Sequence, residues 1–154
     1  MAVEIERKFL VSGSEWRAAA SEGQQIRQGY LGTGSVQVRV RCAGADAFLT
    51  IKGRREGISR TEFEYPIPAA DAEAMLAALC PHPPVEKIRY EIQHDDHVWE
   101  VDVYQGRHAG LIVAEIELTR VDEAFTIPPW VGADVTGDRR YSNAVLAESE
   151  APRD

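Results

Sequence analysis

Charged and apolar residues alternate along most of this chain. In Val3–Val11 (VEIERKFLV), Glu4, Glu6 and Lys8 take every second position, with Ile5 and Arg7 between them and Val3 and Phe9 at the flanks. Successive side chains of a β-strand point to opposite faces, so residues two apart share one. The same period sets Arg39 and Arg41 against Val38 and Val40, Thr50 and Lys52 against Leu49 and Ile51, and Glu62 and Glu64 against Phe63 and Tyr65. It continues with Lys87, Arg89 and Glu91 against Ile88, Tyr90 and Ile92. Glu100 and Asp102 oppose Val101 and Val103, and Glu115 and Glu117 oppose Ile116 and Leu118.

These runs predict eight strands over Val3–Val11, Gln25–Leu31, Val36–Cys42, Ala47–Gly53, Ser59–Ile67, Val85–His94, Val98–Tyr104 and Ile112–Arg120. Turn formers lie between them at Gly32-Thr-Gly34, Gly44-Ala-Asp46, Gly53 to Gly57 and Asp95-Asp96. Three short helices are predicted. One falls within Ser12–Glu22, a stronger one over Ala70–Leu79 is rich in alanine and leucine and stopped by Pro81 and Pro83, and one covers Tyr141–Ala147. The fold class is α+β, mostly antiparallel β, in which the sheet can close into a barrel.

At 154 residues the chain fits a single domain, residues 1–154 with a core of about 3–147. A net charge of -8 argues against a general nucleic-acid partner, which calls for a basic face. No apolar run is long enough to span a bilayer, and the first residues are charged where a signal peptide is apolar. The expectation is a cytoplasmic protein with no membrane partner, with a homodimer left open. Cys42 and Cys80 have neither metal nor redox spacing and read as reduced structural thiols.

One charged strand face is ordinarily just solvated. Here seven strands carry paired or tripled Glu, Asp, Arg and Lys, with few of the neutral polar residues that a wet face also accepts. If the sheet closes with these charges inward, they must pair with one another or with a ligand. Lys8, Arg39, Arg41, Lys52, Lys87 and Arg89 suit a polyanion with several phosphate oxygens. Glu4, Glu6, Glu62, Glu64, Glu91, Glu100, Asp102, Glu115 and Glu117 suit a hard divalent cation, Mg²⁺ or Mn²⁺. Together they point to metal-assisted phosphoryl chemistry without a glycine-rich phosphate loop.

Glu4-Ile-Glu6-Arg-Lys8 resembles the Glu-x-Glu-x-Lys signature of the CYTH, or triphosphate tunnel metalloenzyme, superfamily. Arg39-x-Arg41, Thr50-x-Lys52, Glu62-x-Glu64, Lys87-x-Arg89, Asp102 and Glu115-x-Glu117 follow in that family's order, from Val3 to about Ala147. Arg27–Leu31 (RQGYL) and Gly137–Ala147 (GDRRYSNAVLA) look like its short bacterial tripolyphosphatase branch. The resemblance implies an eight-stranded closed barrel forming a tunnel for a divalent metal and a triphosphate. It makes Glu4, Glu6, Glu115 and Glu117 metal ligands, and the six cations a phosphate clamp. Lys8 and Lys52 are also implied in catalysis. Glu62, Glu64 and Asp102 stand between a second metal site and the orientation of the cations. Tyr30 is implied as a proton acceptor, with packing at the tunnel wall as the alternative.

The activity this implies is removal of a terminal phosphate from inorganic tripolyphosphate by water, with metal and clamp stabilising the leaving pyrophosphate. A class IV-type adenylate cyclase or a thiamine triphosphatase would use the same tunnel, and a non-catalytic polyphosphate-binding module is the reading from another class. His94-Asp-Asp-His97 resembles a metal cluster but sits where a hairpin turn is needed. His82 and His108 lie in proline- and glycine-rich loops with no evident partner, and Trp16, Trp99 and Trp130 read as packing residues.

Overall fold

Eight antiparallel strands close on themselves in the computed structural model, which describes residues 3–149. They are β1 (Val3–Val11), β2 (Gln24–Thr33), β3 (Gln37–Ala43), β4 (Asp46–Lys52), β5 (Ser59–Pro66), β6 (Val85–His94), β7 (His97–Tyr104) and β8 (Ile112–Glu117). Their order around the wall is β5-β4-β3-β2-β6-β7-β8-β1. Closure comes from β1 meeting β5, with Val3 opposite Thr61 and Glu4 opposite Arg60. The expected ends of the 1–154 span, residues 1–2 and 150–154, lie outside the described residues.

A ninth strand, β9 (Val131–Asp134), was not anticipated from the pattern. It adds to the outer half of β1, pairing Phe9 with Asp134 and Val11 with Val131. Its sequence VGAD offers little alternation to read. Gly132 permits the pairing, because a Cβ there would stand 2.9 Å from the Leu10 carbonyl oxygen. β8 ends at Glu117 rather than Arg120, since the next segment leaves the wall to cover it.

The helical expectations hold in part. The alanine-rich stretch forms α1 (Ala69–Ala78), as its propensity dictates. The segment after β1 makes only a 3₁₀ turn at Glu15–Ala19. Near the end, a 3₁₀ turn at Arg139–Tyr141 leads into α2 (Asn143–Glu148), which Ser142 caps through Oγ and the Val145 amide.

Three apolar clusters hold the barrel. Trp16, Phe125 and Trp130 cover the outer face of β1, β6, β7 and β8, where Trp99 is fully buried. The α1 residues Ala72 and Leu76 cover Val40 and Ala47. The third cluster joins Ala144, Leu146 and Ala147 of α2 to Tyr30, Val85, Tyr104 and Val113. Val113 lies opposite Asp102, and Tyr104 opposite Lys87, so this cluster continues the charged face. The inner wall is therefore charged along most of its length and apolar where α2 packs against it.

The Asp95-Asp96 pair forms the expected hairpin turn, with His94 opposite His97 and Asp95 at a φ of 52°. Both cysteines are free thiols. No helix among the described residues is long and apolar enough to cross a membrane. His108 departs from expectation: it is buried, and its Nε2 faces the carbonyls of Leu146 at 2.6 Å and Ser149 at 2.7 Å. Arg107 adds a bond to the Ala147 carbonyl at 2.8 Å. The loop thus satisfies the open carbonyl end of α2.

Candidate active site in the barrel lumen

Inside the barrel, a cavity of about 200 Å³ is lined by Glu4, Glu6, Arg39, Arg41, Lys52, Glu62, Glu64, Arg89, Glu100, Glu115, Glu117 and Asn143. Strand register brings these residues together from distant parts of the chain. Glu6 stands opposite Glu117 and Lys8 opposite Glu115 across β1 and β8; Lys52 faces Glu62 across β4 and β5; Glu100 faces Glu115 across β7 and β8. A wider cleft of about 790 Å³ opens beside Lys8 and carries Arg54, Arg55, Arg60 and Arg139. It is the larger space, but Lys8 is the only one of the six predicted clamp residues that lines it. In the smaller cavity Arg39, Arg41, Lys52 and Arg89 meet Glu4, Glu6, Glu115 and Glu117, while Lys87 and Asp102 do not line it.

The cations are held in different ways. Lys8 Nζ donates to the Tyr141 carbonyl at 3.1 Å and lies 3.6 Å from Glu115. Lys52 Nζ lies 3.0 Å from Glu4 Oε2 and 3.3 Å from Glu62. Arg39 Nη2 reaches Thr50 Oγ1 at 3.2 Å and Glu64 at 3.4 Å, and its Nε is buried without a hydrogen-bond partner among the described residues. Lys87, fully buried, is 2.7 Å from Asp102 Oδ2 and 3.4 Å from Asn143 Oδ1. Arg89 bonds both oxygens of Asp102 and also Glu100, at 3.1 Å. Arg41 is different, since its Nε donates to Gln28 Oε1 at 2.8 Å and it has no carboxylate partner among the described residues.

Charge states follow from these surroundings. Burial opposes ionisation of Asp102, yet Arg89 and Lys87 hold its carboxyl far below the usual carboxylate range. Glu115, against the same burial, is pulled to about 2 by Lys8 and Arg89. The other acids go the opposite way. Burial, then Glu115 and Glu4, push Glu6 up to about 7. Burial and the hydrogen bond with Glu62 raise Glu4, and burial followed by Glu4 raises Glu117. Burial pushes Lys87 down to about 7, where Asp102 resists but Arg89 and Arg41 assist. Burial and then Arg39 and Arg89 lower Arg41 to about 10. The lumen thus holds carboxylates short of positive charge and cations short of negative charge.

That shortage bears on a metal. Glu4, Glu6, Glu115 and Glu117 supply only carboxylate oxygens, the donors a hard divalent cation takes. The upward push on Glu6, Glu4 and Glu117 is what a cation would relieve. No group of three or more acidic, histidine or cysteine side chains among the described residues stands ready-made as a metal cluster. The carboxylates fit a divalent cation by chemistry and line the lumen as a looser set.

Tyr30 lies in the cluster beneath α2 and lines a separate small pocket of about 110 Å³ with Pro81, His82 and Ala147, not the lumen cavity. Two residues of the site escaped the strand pattern. Asn143 Oδ1 accepts from Tyr104 at 2.6 Å besides Lys87, and Gln28 is wholly buried beside Arg41. Asn143 belongs to the terminal GDRRYSNAVLA motif, which was the available signal. Gln28 stands inside RQGYL, two residues before Tyr30 on the same face.

Comparisons with known proteins agree on one family. The CYTH domain matches residues 2–144. A protein of Acetivibrio thermocellus named inorganic triphosphatase is 44% identical over 150 residues, covering 97% of this chain and 96% of that protein. One of the same name from Nitrosomonas europaea is 39% identical over 155 residues, covering 95% and 97%. A crystal structure of an inorganic triphosphatase aligns with TM-score 0.67 at 36% identity, covering 99% of both chains. An adenylyl-cyclase-like protein of Hippeastrum, described as having a dominant triphosphatase activity, aligns with TM-score 0.60 at 16% identity over 78% of this chain and 80% of that one. That last likeness speaks to the fold alone.

Proposed function

The chain belongs to the CYTH domain family, and we propose that within it this protein is an inorganic triphosphatase that removes the terminal phosphate of tripolyphosphate by hydrolysis. One observation carries the reading: Arg39, Arg41, Lys52 and Arg89 line the same cavity as Glu4, Glu6, Glu115 and Glu117, with Lys8 on the adjoining cleft. Lys8, Arg39, Arg41, Lys52, Lys87 and Arg89 bind the phosphates. Arg39 and Arg41 each bring a planar set of donors that matches two oxygens at once.

Glu4, Glu6, Glu115 and Glu117 hold a divalent cation, Mg²⁺ or Mn²⁺. When bound, that cation supplies Lewis-acid neutralisation of phosphate charge. Asp102 orients Arg89 and Lys87 rather than serving as a ligand, because three donors already occupy its two oxygens. Glu64 and Glu62 hold Arg39 and Lys52 in the same manner. Lys8 and Lys52 stabilise the negative charge that grows on the leaving pyrophosphate. Tyr30 is assigned the proton of the attacking water.

The substrate follows from the lining. Charged side chains make up all of the cavity wall except Asn143, so phosphates find many contacts and a purine or thiazole few. The test is phosphate release from tripolyphosphate, ATP and thiamine triphosphate side by side, with cyclic AMP measured in the ATP reaction. Fastest release from tripolyphosphate is expected. Efficient cyclic AMP formation would replace the reading with a cyclase, preference for thiamine triphosphate with a thiamine triphosphatase, and tight binding without product with a polyphosphate-binding module.

A further inference from the structure

We propose that Gln28 is a positioning residue for substrate binding, a neutral clamp that fixes the Arg41 guanidinium in the lumen while leaving its charge free for a phosphate. This rests on the triphosphatase reading above. An arginine Nε can only donate, so the amide oxygen of Gln28 is the atom that faces it, at 2.8 Å. The amide nitrogen must then point elsewhere. It is buried and has no hydrogen-bond partner among the described residues. Leaving such a donor dry is unfavourable.

A glutamate of the same shape would remove that difficulty. It has no donor to strand, and it would form a charge-assisted bond with Arg41, which feels repulsion from Arg39 and Arg89. Glutamine therefore sits where a carboxylate would make the ligand-free protein more stable. What a carboxylate would take away is the free charge of Arg41. Each of the other five clamp cations has an acidic side chain within 4.0 Å, as Lys8, Arg39, Lys52, Lys87 and Arg89 do. Arg41 alone among them does not, and neither of its Nη atoms is hydrogen-bonded among the described residues. With Nε tethered, the two Nη groups form a preset fork on the cavity wall. An incoming phosphate meets it without first displacing a carboxylate.

The experiment compares the full chain with Gln28→Glu and Gln28→Met, reading KM and kcat on tripolyphosphate with Mg²⁺ and the melting temperature without ligand. For Gln28→Glu, a KM raised about tenfold or more with little change in kcat is expected, together with a higher melting temperature. Gln28→Met keeps the volume and removes the acceptor, so a smaller rise in KM is expected without loss of stability. Function and stability moving in opposite directions is what a merely structural glutamine cannot produce. Gln28→Glu that leaves KM unchanged, or that unfolds or melts lower, overturns the inference. If the unaltered protein neither binds nor cleaves tripolyphosphate, the triphosphatase reading fails and takes this inference with it.

Discussion

Arg89 grips Asp102 through two parallel hydrogen bonds, Nε to Oδ1 at 2.7 Å and Nη2 to Oδ2 at 2.9 Å. Lys87 is left with a share of Oδ2 at 2.7 Å, so one buried carboxylate serves two buried cations. The excess charge falls on Lys87, which burial pushes down to about 7.

Two substitutions should therefore act in opposite directions on the ligand-free protein. Asp102→Asn strands Lys87 and leaves Arg89 with Glu100, and should destabilise by about 3–5 kcal/mol. Lys87→Met removes the unfavourable charge while Asp102 keeps both bonds to Arg89, and should stabilise. A lysine depressed in the folded state is penalised only when protonated. The Lys87→Met gain should thus be full below pH about 7 and vanish above the ordinary value of 10.5. Urea unfolding across that range reads both, and a destabilised Lys87→Met would contradict the assignment. The same variant should bind tripolyphosphate more weakly.

Removing the metal should abolish turnover, and Glu117 offers the cleanest variant because it forms no ion pair among the described residues. Glu117→Gln keeps the size but offers a hard cation a weaker oxygen. The Mg²⁺ concentration for half-maximal activity should rise about tenfold to 100-fold, with the melting temperature in EDTA unchanged or higher. Full activity in EDTA would remove the metal from the mechanism.

The alternation of charge was legible because seven of the eight predicted strands repeat it locally, β2 being the exception. Lys8, Arg39, Arg41, Lys52 and Arg89 could be assigned to one face from spacing alone, and strand closure then brought the faces together. The apolar end of the lumen was not legible. Val85 and Val113 obey the same period as the charges, and only α2 packing on them reveals why they are not charged. Gln28, Asn143 and His108 were missed for a related reason. Their partners are Arg41, Tyr104 with Lys87, and the carbonyls ending α2, each brought near by the fold and not by spacing.

Tyr30 can be tested by losing one atom. Its ring is packed in the cluster under α2, and its hydroxyl makes no hydrogen bond among the described residues. Tyr30→Phe should therefore leave the melting temperature nearly unchanged. If the hydroxyl accepts the proton from water, kcat should fall by about 100- to 10,000-fold with KM little altered. Unchanged kcat would assign Tyr30 to packing alone.

The last prediction lies outside the lumen, where one carboxylate fastens a cover over the core. Glu123 Oε1 accepts from the amide and hydroxyl of Thr119, both at 2.6 Å, and Oε2 stands 2.5 Å from His97 Nε2. Phe125 follows two residues later and packs edge-on against Trp99, with ring centroids 5.9 Å apart. The carboxylate thus fixes the start of the segment that shields the outer face of β7. The Thr119 hydroxyl first, and then His97, pull Glu123 down to about 2. A carboxyl lowered in the folded state contributes stability above its unfolded value of 4.5, and loses it as pH falls toward the folded value. Glu123→Gln should therefore melt below the unaltered protein at pH 6. The gap should narrow between pH 4.5 and 2, because protonation of Glu123 then removes the same interactions from the unaltered chain. Calorimetric melting at several pH values measures that gap. A gap independent of pH would mean that the charge of Glu123 is not what holds the segment down.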